Sequence, residues 1–143
     1  MSFEEELLAD LDVFIKTGDV SVEESTEVYF RRLAEVFPLG GSKISWDQVP
    51  DSIVDTTNTI NDVTEWVNFF NEIVEKKGLS GKLVYINDGA IECALTMSVD
   101  ILRQCIKQIL EYPEHHYFIG ENYAWCMTFT MEGDMTFGSK PEY

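Results

Sequence analysis

Three observations predict an α+β domain: apolar residues recur at helical spacing in the first half of the chain, they alternate with period 2 in the second, and 143 residues fit one ordinary domain. The whole chain, 1–143, is read as a single α+β domain. Its helical N-terminal half is expected to cover one face of a mostly antiparallel sheet of about five strands.

In the helical half, Ser2 and Glu5 have the spacing of a capping box ahead of Phe3, Leu7, Leu8, Leu11, Phe14 and Ile15, and Gly18 ends that helix. A second box, Ser21 with Glu24, predicts a helix whose Val22, Thr26, Tyr29, Phe30, Leu33 and Phe37 share one face until Pro38-Leu39-Gly40-Gly41. Residues 40–58 carry Gly, Ser, Pro and Asp without a sustained period and read as the longest loop, with Trp46 and Ile53 available to tuck it onto the core. From Thr59 to Lys77, the spacing of Ile60, Val63, Val67, Phe70 and Val74 makes an amphipathic helix that Lys76-Lys77-Gly78 closes.

The period then changes. Leu83–Ile86, a turn at Asn87-Asp88-Gly89 and Ile91–Met97 read as a hairpin. Ser98 caps a helix carrying Leu102, Cys105, Ile106, Ile109 and Leu110, which Pro113 closes. A meander follows: His116–Ile119, a turn at Gly120-Glu121-Asn122, a strand in which Tyr123, Trp125, Met127, Phe129 and Met131 alternate with Ala124, Cys126, Thr128 and Thr130, and a last strand Met135–Phe137.

Charge is the main functional signal. The chain carries 26 acidic and 10 basic side chains, a formal charge of −16, and residues 1–72 hold 16 of the acids with 4 of the bases. Self-repulsion at that charge points to a cationic partner and repels nucleic acid and anionic membrane. At 45% hydrophobic residues the chain is too apolar to be an acidic disordered tail. The start Met1-Ser2-Phe3-Glu4-Glu5-Glu6 lacks the cationic character of a secretory signal and no apolar run reaches membrane-spanning length, so a cytoplasmic location is expected. Cys93, Cys105 and Cys126, an odd and widely spaced set in apolar stretches, read as reduced, inert core thiols.

No CxxC, HExxH, P-loop, GxGxxG or GxSxG is present, so no catalytic residue, metal or cofactor is assigned. Asp47, Asp51 and Asp55 recur every four residues, a spacing that is mutually destabilising until a partner neutralises it, or else a solvated acidic loop. With Glu23, Glu24 and Glu27 on the second predicted helix and Asp62, Glu65 and Glu72 on the third, they are expected to build a continuous negative surface for a basic protein. Tyr29 and Trp46 are candidate aromatic anchors within it. Trp66, on its helix, belongs to the core. Two rivals stand beside this reading. One is an acidic adaptor or regulatory module for another basic protein; the other is a small enzyme using His116 with Glu121, Glu132 or Asp134, which requires those groups to converge in a cleft.

The segments His116-Tyr117-Phe118-Ile119, Tyr123-Ala124-Trp125-Cys126 and Met131-Glu132-Gly133-Asp134-Met135-Thr136-Phe137-Gly138 resemble a stretch of small bacterial immunity proteins of polymorphic-toxin and contact-dependent inhibition systems. The resemblance implies a cytoplasmic, non-catalytic protein that binds one cognate toxin domain, often a nuclease, and blocks its active site. An acidic surface suits that role, because a nuclease presents a cationic groove to its phosphate substrate.

Overall fold

The period-2 stretches of the second half build the middle of a seven-stranded antiparallel sheet in a computed structural model that describes residues 2–40, 43–44, 46, 49, 52–57, 63–112 and 115–141. The N-terminal helices are α1 (Phe3–Asp10) and α2 (Asp12–Lys16), then β1 (Ser21–Glu23) and α3 (Glu27–Val36). A two-strand ribbon, β2 (Leu39–Gly40) and β3 (Lys43–Ile44), precedes β4 (Ile53–Thr56), α4 (Thr64–Lys77) and the hairpin β5 (Lys82–Asp88) and β6 (Ala94–Ser98). The chain continues through α5 (Val99–Leu110), β7 (His115–Gly120), a turn at Glu121–Tyr123, β8 (Trp125–Phe129) and β9 (Asp134–Ser139). The sheet order is β1-β6-β5-β7-β8-β9-β4, and no described helix is long and apolar enough to cross a membrane.

Two of the three expected caps form. Ser2 Oγ accepts from Glu5 N at 3.1 Å and Ser98 Oγ accepts from Ile101 N at 3.1 Å. Gly78 takes the left-handed conformation (φ 62°) that closes α4 behind Lys76 and Lys77.

Four expectations are corrected. Ser21 does not cap a helix: Ser21–Glu23 pairs antiparallel with β6, Ser21 opposite Thr96, and the helix starts only at Glu27, whose N–H donates to Ser25 Oγ at 3.2 Å. The exposed edge of β6 needs a partner strand more than the segment needs an extra helical turn. The first helix breaks at Leu11 (φ −98°, ψ 8°) into α1 and α2. The 40–58 segment contains β4, which pairs with β9, so the sheet has seven strands and not about five. The helix expected from Thr59 is described from Thr64; residues 58–62 lie outside the described residues.

The fourth correction concerns the layers: the sheet is covered on both faces. One face buries Leu83, Tyr85, Leu95, Phe118, Met127 and Phe129 against Leu7 and Leu11, α4 (Phe69, Phe70, Ile73) and α5 (Leu102, Ile106, Ile109). The other buries Ile86, Tyr117, Ile119 and Cys126 under α3 (Leu33, Val36) and the strap carrying Phe37, Ile44 and Val49. Small residues at alternate positions of β8 therefore signal close packing of a second layer, not a wet face. Trp46 is half-buried beside Phe37, and a Cβ on Gly138 would lie 2.6 Å from its Cζ3, so bare backbone at 138 is what lets the strap lie on β9.

One carboxylate ties the first helix to the hairpin. Glu4 Oε1 accepts from Glu92 N at 2.9 Å and from Cys93 N at 2.8 Å, anchoring the β5–β6 connection. Glu4→Ala is expected to lower stability by about 1–2 kcal/mol, because two backbone donors lose a charged acceptor. Chemical denaturation checks it, and an unchanged midpoint would show that water replaces the carboxylate without loss.

Candidate binding surfaces

The sheet order decides how the acidic residues group. Asp55 lies on β4, which among the described residues pairs with β9 alone; Glu65 and Glu72 lie two turns apart on α4 beside it. These three carboxylates and Asn68 rim a concavity of about 240 Å³ floored by Phe69 and Met135. The buried Thr57, whose N–H donates to Gly133 O at 3.0 Å, also donates its hydroxyl to Glu65, and this fixes one carboxylate on the rim. Among the described residues none of the three has an ion-pair partner. Val54 on the same strand is 56% exposed, so apolar surface adjoins the acids.

Glu23, Glu24 and Glu27 lie elsewhere. Glu23 ends β1, Glu24 follows it and Glu27 starts α3, with β1 at the opposite edge of the sheet, six strand spacings of about 4.8 Å away. Glu23 accepts from the Tyr29 hydroxyl at 2.7 Å and Glu27 pairs with Arg31 at 3.0 Å, so two of the three already have partners. The expected continuous surface is thus two separate patches among the described residues. Asp47, Asp51 and Asp62 lie outside the described residues. Trp46 packs on the strap core, and Trp66 is buried against Phe129 and His116, as expected for a core residue.

A third feature gave no signal in the sequence. Between α3 and the sheet end where β5 starts and β7 and β9 finish, a cleft of about 580 Å³ is lined by Tyr29, Arg32, Lys82, Glu121, Tyr123 and Lys140, among others. Three of the ten basic residues of this acidic chain meet there. They come from three distant elements, and only the topology brings them together.

The histidines do not form a catalytic group. His116 is fully buried, its ring stacked on Tyr85 at 5.8 Å, with Nδ1 bonded to the Tyr85 hydroxyl at 2.7 Å. Asn87 Nδ2 donates to that hydroxyl at 3.0 Å, and with the hydroxyl donating onward to Nδ1 the ring proton sits on Nε2, on the side of the Tyr112 backbone. The enzyme alternative required His116 in a cleft with Glu121, Glu132 or Asp134, and burial of the imidazole removes that constellation. Glu132 instead faces His115, 3.9 Å from its Nδ1. All three cysteines are free and buried; burial, with Glu4 nearby, pushes the Cys93 thiol up to about 12, and burial pushes Cys105 up to about 11. These are poor nucleophiles. No protein-family model matches the chain, and no curated protein matches it.

Proposed function

We propose that this chain is a non-catalytic acidic binding protein of the immunity type, which neutralises a cognate basic toxin domain in the cytoplasm by tight binding. The observation that carries the reading is the rim of Asp55, Glu65 and Glu72 at the β4 end of the sheet, three carboxylates without a cation among the described residues. Arg or Lys side chains of a partner would enter this concavity, while the apolar floor of Phe69 and Met135 receives their methylene stems. A nuclease fits best, because its phosphate-binding groove is the commonest strongly cationic surface that an acidic protein can occlude. The resemblance in residues 116–138 supports the immunity class but lies in β7–β9, the interior of the sheet, and so bears on the scaffold more than on the contact.

The test is co-expression with toxin-like domains encoded by neighbouring reading frames, scored by growth rescue and by co-purification at low and moderate salt. Rescue with a salt-sensitive complex is expected. Asp55→Lys with Glu72→Lys should weaken that complex by about 10- to 100-fold, mainly by slowing association, whereas Glu23→Lys with Glu24→Lys should change it less than threefold. Absence of both rescue and binding, or loss through the β1 edge instead, would overturn the assignment.

A further inference from the structure

We propose that the cleft between α3 and the sheet end is a binding site for a small phosphate-bearing, ring-containing ligand of the size of a nucleoside monophosphate. Its volume of about 580 Å³ lies within the ordinary range for small-molecule sites. The inference is independent of the acidic edge.

Charge is the first argument. In a chain of formal charge −16, cations are expected to be consumed by neighbouring carboxylates, and Lys16, Arg31 and Arg103 are so paired. Lys82 and Lys140, like Lys76, Lys77 and Lys107, have no carboxylate in ion-pair reach among the described residues, but Lys82 and Lys140 come together on one cleft. The carboxylates that border the cleft are Glu121 in its lining, Glu23 held by the Tyr29 hydroxyl and Glu35 held by Arg32; acids further than about 8 Å are screened at physiological ionic strength. Arg32 adds a third cation, held by Glu35 at 2.7 Å and lying over the Tyr123 ring at 5.9 Å.

The remaining lining is that of a ring site. Val84 and Ile119 give an apolar floor, and Tyr29 and Tyr123 supply aromatic walls. Glu121, a carboxylate among three cations, accepts no hydrogen bond from another side chain among the described residues and is free to take one from a ligand hydroxyl or amino group. Backbone strain holds the wall in place. Asn122 and Tyr123 both have φ 58°, a left-handed conformation disfavoured for a side chain as large as Tyr. The turn is clamped by Ala124 N to Glu121 O at 3.2 Å and Lys140 N to Ala124 O at 2.9 Å, which sets Lys140 and Tyr123 on the same cavity.

The experiment is calorimetric titration of the full chain at low salt with AMP, GMP, CMP, UMP, ribose 5-phosphate and inorganic phosphate. At least one nucleotide is expected to bind at sub-millimolar Kd and inorganic phosphate about tenfold more weakly or worse. Lys82→Gln and Lys140→Gln, both at exposed positions and checked for unchanged melting, should each weaken the nucleotide about tenfold. No binding by any probe, binding that survives the double Lys→Gln variant, or inorganic phosphate binding as tightly as the nucleotides would each overturn the proposal.

Discussion

Acidification from pH 6.5 to 4 is expected to remove about 3 kcal/mol of stability through His116 alone. Burial pushes this imidazole down from 6.5 to about 4, with the neighbouring His115 adding a smaller push in the same direction against a backbone hydrogen bond that raises it. The surroundings explain the direction. Tyr85, Trp66 and Phe129 enclose the site with aromatic rings, and Nδ1 already accepts from the Tyr85 hydroxyl, so a second ring proton would have to displace that bond. In the unfolded chain the imidazole takes a proton near pH 6.5; in the folded chain it refuses one until about pH 4. The unfolded state therefore binds more protons throughout that window, and stability falls as pH falls from 6.5 to 4, then levels.

The same acidification neutralises carboxylates and relieves the self-repulsion of a −16 chain, which acts in the opposite sense. The His116 part is isolated by comparing urea denaturation of the wild type with His116→Phe over this range, the variant being expected to lose the downward slope whatever its absolute stability. A His116 ring resonance titrating near 6.5 in the folded protein would sink the argument.

How much of this was legible follows from the range of each signal. Ser2 and Ser98 act within one helical turn of themselves, and both caps form as their sequence spacing implies. The alternation in Tyr123–Met131 likewise marks β8 within one stretch, but the strand is shorter, Trp125–Phe129, because Tyr123 with φ 58° belongs to the turn before it and Met131 to the turn after it. β1 and β4 escaped because three- and four-residue strands have almost no period of their own; they are strands because β6 and β9, more than 70 residues away, offer them an edge. Ser21 and Glu24 imitate a capping box, and the competing pairing of Ser21 with Thr96 is invisible from either segment alone. For the same reason the acids were legible as an excess but not as two patches. The cleft was not legible at all, since Arg32, Lys82 and Lys140 carry no spacing that links them.

Gly120→Ala is expected to cost about 3 kcal/mol, at the upper end for inserting one methyl group into packed surroundings, and to lower the melting temperature by roughly 10 °C. Gly120 ends β7 opposite Leu83, with an ordinary backbone (φ −68°, ψ 165°), so conformational freedom is not the reason for glycine. The reason is the Trp125 indole, which lies across the Cα: a Cβ at 120 would stand 2.5 Å from both Cδ1 and Cε2. A rigid bicyclic ring cannot yield as a flexible side-chain end would, and Trp125 is itself buried and packed against Phe137 at 6.0 Å. The whole side chain must shift or the β7–β8 connection must open. Because that connection carries Glu121 and Tyr123, the shift would also displace one wall of the cationic cleft. Steric origin has its own signature in a double-mutant cycle. In a Trp125→Leu background, already weakened by the lost indole, adding Gly120→Ala should cost less than 1 kcal/mol, giving a coupling of about 2 kcal/mol. Equal costs in the two backgrounds would refute the clash and leave the glycine at 120 to be explained by the turn that follows it.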